Sequence, residues 1–186
     1  MTRDLFDPAA PAEIFDEVEA DLGPVAGLVV NHTHSVASSL LNTTIESFDR
    51  HYAINVRATW LLLKEFGRRF QSDRGTGRIV TMTSDHTFPD NIPYGATKAA
   101  ADRLTDAAAF ELAPLGITAN VVNPGPTDTG WMTDNQRVFA ASRTPIARAG
   151  QSQDVANLVA FRFSRQGGWI TGQLLYSNGG FRGTIP

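Results

Sequence analysis

The sequence predicts an α/β fold in which a parallel sheet lies between two layers of helices. Two observations predict it: short apolar, β-branched segments alternate with longer amphipathic ones along the 186 residues, and glycine or proline stands at most of the boundaries. Strands that alternate with helices connect through right-handed crossovers, which makes the strands parallel and puts helices on both faces. Ligands of such sheets bind at the carboxyl ends of the strands.

Capping signals and apolar residues at helical spacing predict four main helices. Asp7-Pro8 is typical of a helix start, and Gly23-Pro24 of a helix end. Thr43 and Glu46 have the spacing of a capping box and should begin a long helix. The predicted helices cover about residues 7–22, 43–70, 93–115 and 153–164, with a short helix before the last.

Buried strands are predicted where β-branched and apolar residues run between turn signals. They cover residues 25–31, 78–83, 117–122 and 173–176. Because parallel strands bring their carboxyl ends to one edge, the loops that begin at Asn31, Ser84 and Pro124 should lie together. The sequence shows no repeat, low-complexity tract or linker, so we expect one domain over residues 1–186.

Composition limits the partners of the protein. The formal net charge is −3 and the 16 lysines and arginines are dispersed, so neither nucleic acid nor an anionic membrane is expected as a partner. The sequence has no cysteine, which excludes disulfides and thiolate metal sites. No apolar run approaches the roughly 20 residues that span a bilayer, and we expect a cytoplasmic protein.

Four polar residues form a candidate catalytic group. Tyr94 and Lys98 lie four residues apart near the start of a predicted helix and therefore share one face. Ser84 ends the preceding strand, and Asn55 lies in the long helix beside the same edge. Taken alone, Tyr94 and Lys98 are better explained by packing and by a solvated charge, and Ser84 can be a strand cap. Asparagine is unfavourable inside a helix, which favours a functional role for Asn55.

These residues, in this order, resemble the tetrad of the short-chain dehydrogenase/reductase family, especially its 3-oxoacyl-[acyl-carrier-protein] reductase-like members. Three further motifs are similar to those of the family: Asn31-His32-Thr33-His34, Pro124-Gly125 with Thr129, and Ile170 to Gln173 with Gly179-Gly180. The resemblance implies a Rossmann-like fold. It also implies hydride transfer between NAD(P)(H) and a small-molecule carbonyl or alcohol substrate.

By this resemblance, Tyr94 gives the proton, Ser84 supports the carbonyl oxygen, and Asn55 anchors a water chain that returns the proton. Hydride transfer builds negative charge on that oxygen, and a hydrogen-bond donor aimed there stabilises the transition state. A free tyrosine has a pKa of about 10, and a cation such as Lys98 one helical turn away is expected to lower it. In the family this lysine also holds the nicotinamide ribose.

The resemblance implies a cofactor site as well, with some departures. Its residues are Asp4, Asn31, Tyr94, Lys98, Pro124, Gly125, Thr127 and Thr129, with Asp4 beside the adenine. The family's glycine-rich turn does not occur before Asn31, so we expect an N-terminally truncated fold that binds NAD(P)(H) weakly or not at all. His32 and His34 replace an asparagine and a glycine of the family. They lack a third ligand, so no metal is expected.

Two other classes of function stay open at this point. A non-redox enzyme that uses Tyr94 and Ser84 for elimination, isomerisation or cyclisation would explain the missing nucleotide segment. A non-catalytic interaction module is the other class, and the intact catalytic residues count against it.

The resemblance also predicts a homo-oligomer, a dimer or a tetramer. The helices around residues 52–63 and 97–110 resemble the pair through which the family dimerises. The family's neighbour of the 25–31 strand is missing here, so Leu28, Val29 and Val30 should form an apolar edge. Such edges pair with other chains, and we expect a partner chain, a swapped segment or the N-terminal residues to cover this one.

Overall fold

The central sheet has four parallel strands, which confirms the predicted fold class. A computed structural model of the protein describes residues 2–84 and 89–181. The strands are β1 (Gly27–Val30), β2 (Gly77–Met82), β3 (Ile117–Asn123) and, last in the chain, β6 (Leu174–Tyr176). They lie in the order β1-β2-β3-β6. A separate parallel pair joins β4 (Thr127–Asp128) to β5 (Gly150–Gln151).

The helices flank this sheet near their predicted positions. They are α1 (Ala10–Leu22), α2 (Ile45–Tyr52), α3 (Ala58–Arg69), α4 (Ile92–Glu111), α5 (Asp134–Arg143) and α6 (Ser152–Phe163). A π-helical segment, Ala53–Arg57, joins α2 to α3, so the long helix predicted here is continuous but locally widened. Short 3-10 turns follow α4 and α6.

Two apolar clusters hold the layers together. On one face of the sheet, Phe15 of α1, Phe66 of α3 and Ala109 of α4 pack on Ile79 and Ile117. On the other face, residues of α6 pack on Val80, Met82 and Val122. Packing on both faces explains why β2 and β3 are almost continuously buried.

Two helix starts differ from the prediction. The N-cap of α1 is Ala9 rather than Asp7, whose carboxylate accepts the Ala9 N–H at 2.9 Å in the preceding turn. The N-cap of α2 is Thr44 rather than Thr43, and it accepts the Ser47 N–H at 3.1 Å. Thr43 instead donates to the Ser39 carbonyl at 2.7 Å. The capping pattern of the sequence could not distinguish Thr43 from Thr44 as the N-cap of α2. The hydrogen bond of Thr43 to the loop leaves Thr44 as the cap.

Strand β1 lies at one edge of the sheet. In the part of the chain that the structure describes, β1 pairs only with β2, and Val29 is 44% exposed. The predicted apolar edge is therefore present. Its coverage by another segment stays a prediction.

Candidate active site

The four candidate catalytic residues meet at the carboxyl edge of the sheet. Ser84 follows β2, Tyr94 and Lys98 lie in the first two turns of α4, and Asn55 lies in the π-helical segment. The Lys98 Nζ is 6.0 Å from the centroid of the Tyr94 ring, as expected for residues one turn apart. Pro93 stands in the first turn of α4, where its missing N–H costs nothing.

The Tyr94 hydroxyl lies close to the hydroxyls of Ser84 and Thr33, which can donate hydrogen bonds to its phenolate form. Burial raises the pKa of Tyr94, and these two hydroxyls act in the opposite direction. We expected Lys98 to give a net lowering of the Tyr94 pKa, but the net shift is upward, because burial penalises the phenolate more than the two hydrogen bonds favour it. We did not identify Thr33 as a site residue from the sequence. The threonine hydroxyl at a position where the family has alanine could have indicated it.

Lys98 is almost completely buried, with 5% of its surface exposed. Burial lowers the pKa of Lys98 from 10.5 to about 8, while the negative charge of Asp102 acts to raise it. Asp102 is itself buried, one turn further along α4, and accepts a hydrogen bond from Thr83 at 2.9 Å. Asp102 lies four residues after Lys98, and residues at this spacing are neighbours on a helix. This charge pair could therefore have been predicted from the sequence, but it was not.

The amide of Asn55 fastens the loop after β1. Its Nδ2 donates to the His34 carbonyl at 2.9 Å, and its Oδ1 accepts the His34 N–H at 2.7 Å. Its Nδ2 also donates to Thr97 of α4 at 2.9 Å. Asn55 is 2% exposed, so its side chain is a buried link between three elements.

The two histidines of this loop have separate partners. The His32 Nε2 lies 2.9 Å from the Ile54 carbonyl of the π-helical segment. Burial lowers the pKa of His32 and the nearby charge of Lys98 lowers it further, while the bond to Ile54 acts to raise it. The ring of His34 stacks obliquely on His51, with centroids 4.5 Å apart. Over residues 2–84 and 89–181, no cluster of three histidine or acidic side chains is suited to a metal.

A cavity of about 480 Å³ opens at the carboxyl edge of the sheet, on the face covered by α6, and is lined by four of the implied cofactor residues: Asn31, Pro124, Thr127 and Thr129. Its walls are otherwise mainly apolar and come from β1, β2 and α6. A flat heteroaromatic ring with one amide substituent suits such a site, because apolar walls cover the ring and a few polar groups orient it. The residues present therefore fit the nicotinamide end of the implied cofactor.

The other two implied cofactor residues differ in their surroundings. Gly125 has a φ of +58°, and a Cβ there would lie 2.4 Å from the Asn178 Cβ, so the Pro-Gly turn requires glycine. Asp4 is exposed, and its carboxylate accepts the Phe6 N–H at 2.9 Å. No hydrogen bond joins Asp4 to the tetrad or the cavity among the residues described.

None of the described helices is both long enough and apolar enough to cross a bilayer.

Comparison with known proteins gives one consistent family. The model of the family described as "Enoyl-(Acyl carrier protein) reductase" matches residues 1–182. The oxidoreductase YjdA of Bacillus subtilis is 43% identical over 185 residues, which are 97% of this chain and 74% of YjdA. The 3-oxoacyl-[acyl-carrier-protein] reductase FabG of Escherichia coli is 32% identical over 180 residues, which are 94% of this chain and 73% of FabG.

A solved structure agrees with these relatives. The short chain dehydrogenase of Burkholderia cenocepacia in complex with NADP has a TM-score of 0.88 and 33% sequence identity, over 97% of this chain and 75% of that one. Because one reductase family matches nearly the whole chain in sequence, and its fold agrees, the chain belongs to the short-chain dehydrogenase/reductase family and is an oxidoreductase of that family.

Proposed function

We propose that this chain interconverts a small-molecule carbonyl and its alcohol with NADP(H), using Ser84, Tyr94, Lys98 and Asn55. The observation that carries the proposal is the Tyr94 hydroxyl, which lies beside Ser84 and has the buried Lys98 on the same helix face. The carbonyl substrate class agrees with the reductase FabG among the relatives, and NADP(H) with the solved relative in complex with NADP.

In the proposed reaction, the carbonyl oxygen lies within hydrogen-bond reach of Tyr94 and Ser84. As negative charge grows on that oxygen, Ser84 donates a hydrogen bond to it and Tyr94 transfers its hydroxyl proton. An O–H bond forms on the product and the O–H bond of Tyr94 breaks. The ammonium of Lys98 stabilises the resulting phenolate, and alcohol oxidation runs the same proton transfer in reverse.

The bound cofactor supplies the hydride that reduces the carbonyl carbon. Asn31, Pro124, Thr127 and Thr129 would hold its nicotinamide end, since they line the cavity at the carboxyl edge of the sheet, and Gly125 shapes the turn between them. Tyr94 and Lys98 would meet the adjoining ribose. The expectation of weak or lost binding finds no support in the relatives, and we assign the chain a working cofactor site.

The other function classes are not favoured. A non-redox acid–base enzyme would use the same Tyr94 and Ser84, but the relatives are named as oxidoreductase and reductase. An interaction module gives no reason for burying a lysine beside that tyrosine.

The first test is the loss of the Tyr94 hydroxyl. Tyr94→Phe should slow NADPH-dependent reduction of a responsive substrate by about a hundredfold or more, the usual contribution of a positioned proton donor. Oxidation of NADPH is followed by absorbance, with small aldehydes, ketones and a 3-oxoacyl thioester as substrates. Tyr176→Phe is the matched control, since Tyr176 is an exposed tyrosine at the end of β6. Near-normal turnover by Tyr94→Phe would remove Tyr94 from the mechanism.

For the assembly, we propose a homodimer or homotetramer that packs through α2, α3 and α4. A largely apolar depression of about 550 Å³ on this face is lined by Tyr52, Val56, Trp60 and Leu104. Exposed aromatic residues at such a depression are typical of protein interfaces. We also propose that the protein is located in the cytoplasm.

A further inference from the structure

The Thr33 hydroxyl lies between two members of the tetrad. It lies close enough to the Tyr94 hydroxyl to act on its pKa, and it donates to Asn55 Oδ1 over 3.4 Å. Ser84 and Asn55 are therefore joined through Tyr94 and Thr33 in one line of side chains. The proposed mechanism with four residues assigns no role to Thr33.

The backbone at Thr33 is held in place from both sides. The next residue, His34, exchanges two hydrogen bonds with the Asn55 amide, at 2.7 Å and 2.9 Å. The preceding residue, His32, reaches the Ile54 carbonyl at 2.9 Å. Both partners belong to the π-helical segment, so the widened helix fixes the loop and holds the Thr33 hydroxyl towards Tyr94.

A threonine hydroxyl has one proton and can reverse its hydrogen bond by rotating about the Cβ–Oγ bond. When Tyr94 is a phenol, Thr33 can accept from it and donate to Asn55. When Tyr94 is a phenolate, the Thr33 proton can turn to Tyr94, and Asn55 Oδ1 keeps the His34 N–H. Each of these polar groups therefore keeps a hydrogen-bond partner in both states of Tyr94.

We propose that Thr33 is a catalytic residue of the chain, a second hydroxyl donor beside Ser84 that stabilises the phenolate of Tyr94. The inference rests on the proposed function, because only a tyrosine that transfers its proton needs this support. Once Tyr94 has released its proton, the Thr33 hydroxyl donates a hydrogen bond to the phenolate oxygen. It gives up no proton, so the proton balance of the reaction is unchanged.

Two substitutions separate the hydroxyl from the shape of the side chain. Thr33→Val keeps the size and branching and removes the donor, and Thr33→Ser keeps the donor. Loss of a donor to the charged form should raise the pKa of Tyr94 in Thr33→Val and leave it near its wild-type position in Thr33→Ser. Tyrosinate absorbance of the protein without cofactor measures this titration. The chain has three tyrosines, and the signal missing in Tyr94→Phe assigns the one required.

The kinetic readout is the pH profile of alcohol oxidation, in which Tyr94 must be a phenolate. For Thr33→Val the acid limb should move to higher pH, and the rate at neutral pH should fall roughly tenfold, as expected for one hydrogen bond to a charged group. Thr33→Ser should restore both. Identical titrations of wild type and Thr33→Val would overturn the proposal, and so would a Thr33→Ser that behaves like Thr33→Val.

The two readouts also separate this inference from the proposed function. If wild type oxidises no alcohol, the proposed activity fails while the titration still decides the contact between Thr33 and Tyr94. If wild type is active and the titration does not move, Thr33 alone loses its role.

Discussion

Lys98 carries its charge at an energetic cost to the folded protein. Its surroundings are mainly protein rather than water, and the charge of Asp102 offsets only part of the lost hydration, so the pKa of Lys98 falls to about 8. A lysine in this position is partly neutral at mildly alkaline pH. The same burial lets its charge act strongly on neighbouring groups, because little water screens it.

This burial predicts a pH-dependent stability. As pH rises from about 8 to above 10.5, folded Lys98 loses its proton before unfolded Lys98 does. The unfolded state then binds more protons, so the free energy of unfolding should rise with pH. Relative to Lys98→Met, wild type should gain roughly 3 kcal/mol over this range. Urea unfolding across the range measures it, with the exposed Lys64→Met as the matched control. A difference between wild type and Lys98→Met that stays constant with pH would contradict the assignment.

The π-helical segment is the element that organises the site. A regular α-helix would continue its 3.6-residue periodicity through Ala53–Arg57 and turn Asn55 differently. Here the widened turn presents the Ile54 carbonyl and the Asn55 amide to the loop after β1. The loop that lies beside Tyr94 therefore depends on a helix irregularity about twenty residues away in sequence.

Loss of the Asn55 amide should release this loop. Asn55→Ala removes both hydrogen bonds to His34 and the one to Thr97, leaving the partly buried backbone groups of His34 without these partners. We expect a loss of roughly 2 kcal/mol in the free energy of unfolding and faster amide hydrogen exchange at His34. Asn157→Ala, at an exposed helix position of α6, is the control. Unchanged exchange at His34 in Asn55→Ala would show that the loop is held by other contacts.

The whole molecule presents one face whose residues are unusual for a surface. Trp60 is 47% exposed and Tyr52 is 48% exposed, both on the helical segment that runs from α2 to α3. Phe110 near the end of α4 is also exposed. These side chains lie on the helices through which we propose the protein assembles, while the opposite layer carries α6 and the cavity that α6 lines.

A charge at the centre of this face should weaken the assembly. Trp60→Glu removes a large apolar contact and buries a carboxylate in any interface that forms, which penalises association. Light scattering after size-exclusion chromatography should give a dimer or tetramer for wild type and a smaller species for Trp60→Glu. Trp131→Glu is the matched control, because Trp131 is 90% exposed and belongs to the segment after β4 rather than to these helices. A monomeric wild type would reject the proposed assembly.

Local sequence patterns were sufficient for the architecture and for the relative placement of three candidate site residues. Alternating strand and helix patterns predicted the parallel sheet, because backbone periodicity and crossover handedness depend on short segments. The spacing of Tyr94 and Lys98 placed them on one face of α4, and the end of β2 brought Ser84 to the same edge. These relations follow from helix geometry and strand direction.

Contacts between distant segments decided what those patterns left open. Thr44 is the N-cap of α2 because Thr43 is hydrogen-bonded within the loop. The Asn55 amide is hydrogen-bonded to His34 and Thr97, which are 21 and 42 residues away in sequence. The net direction of the Tyr94 pKa and the place of Thr33 beside it also depend on how completely folding removes water from this edge. Spacing along the chain fixes which side chains share a face. Burial and long-range hydrogen bonds exist only once the layers have packed, because both depend on which segments displace water from one another.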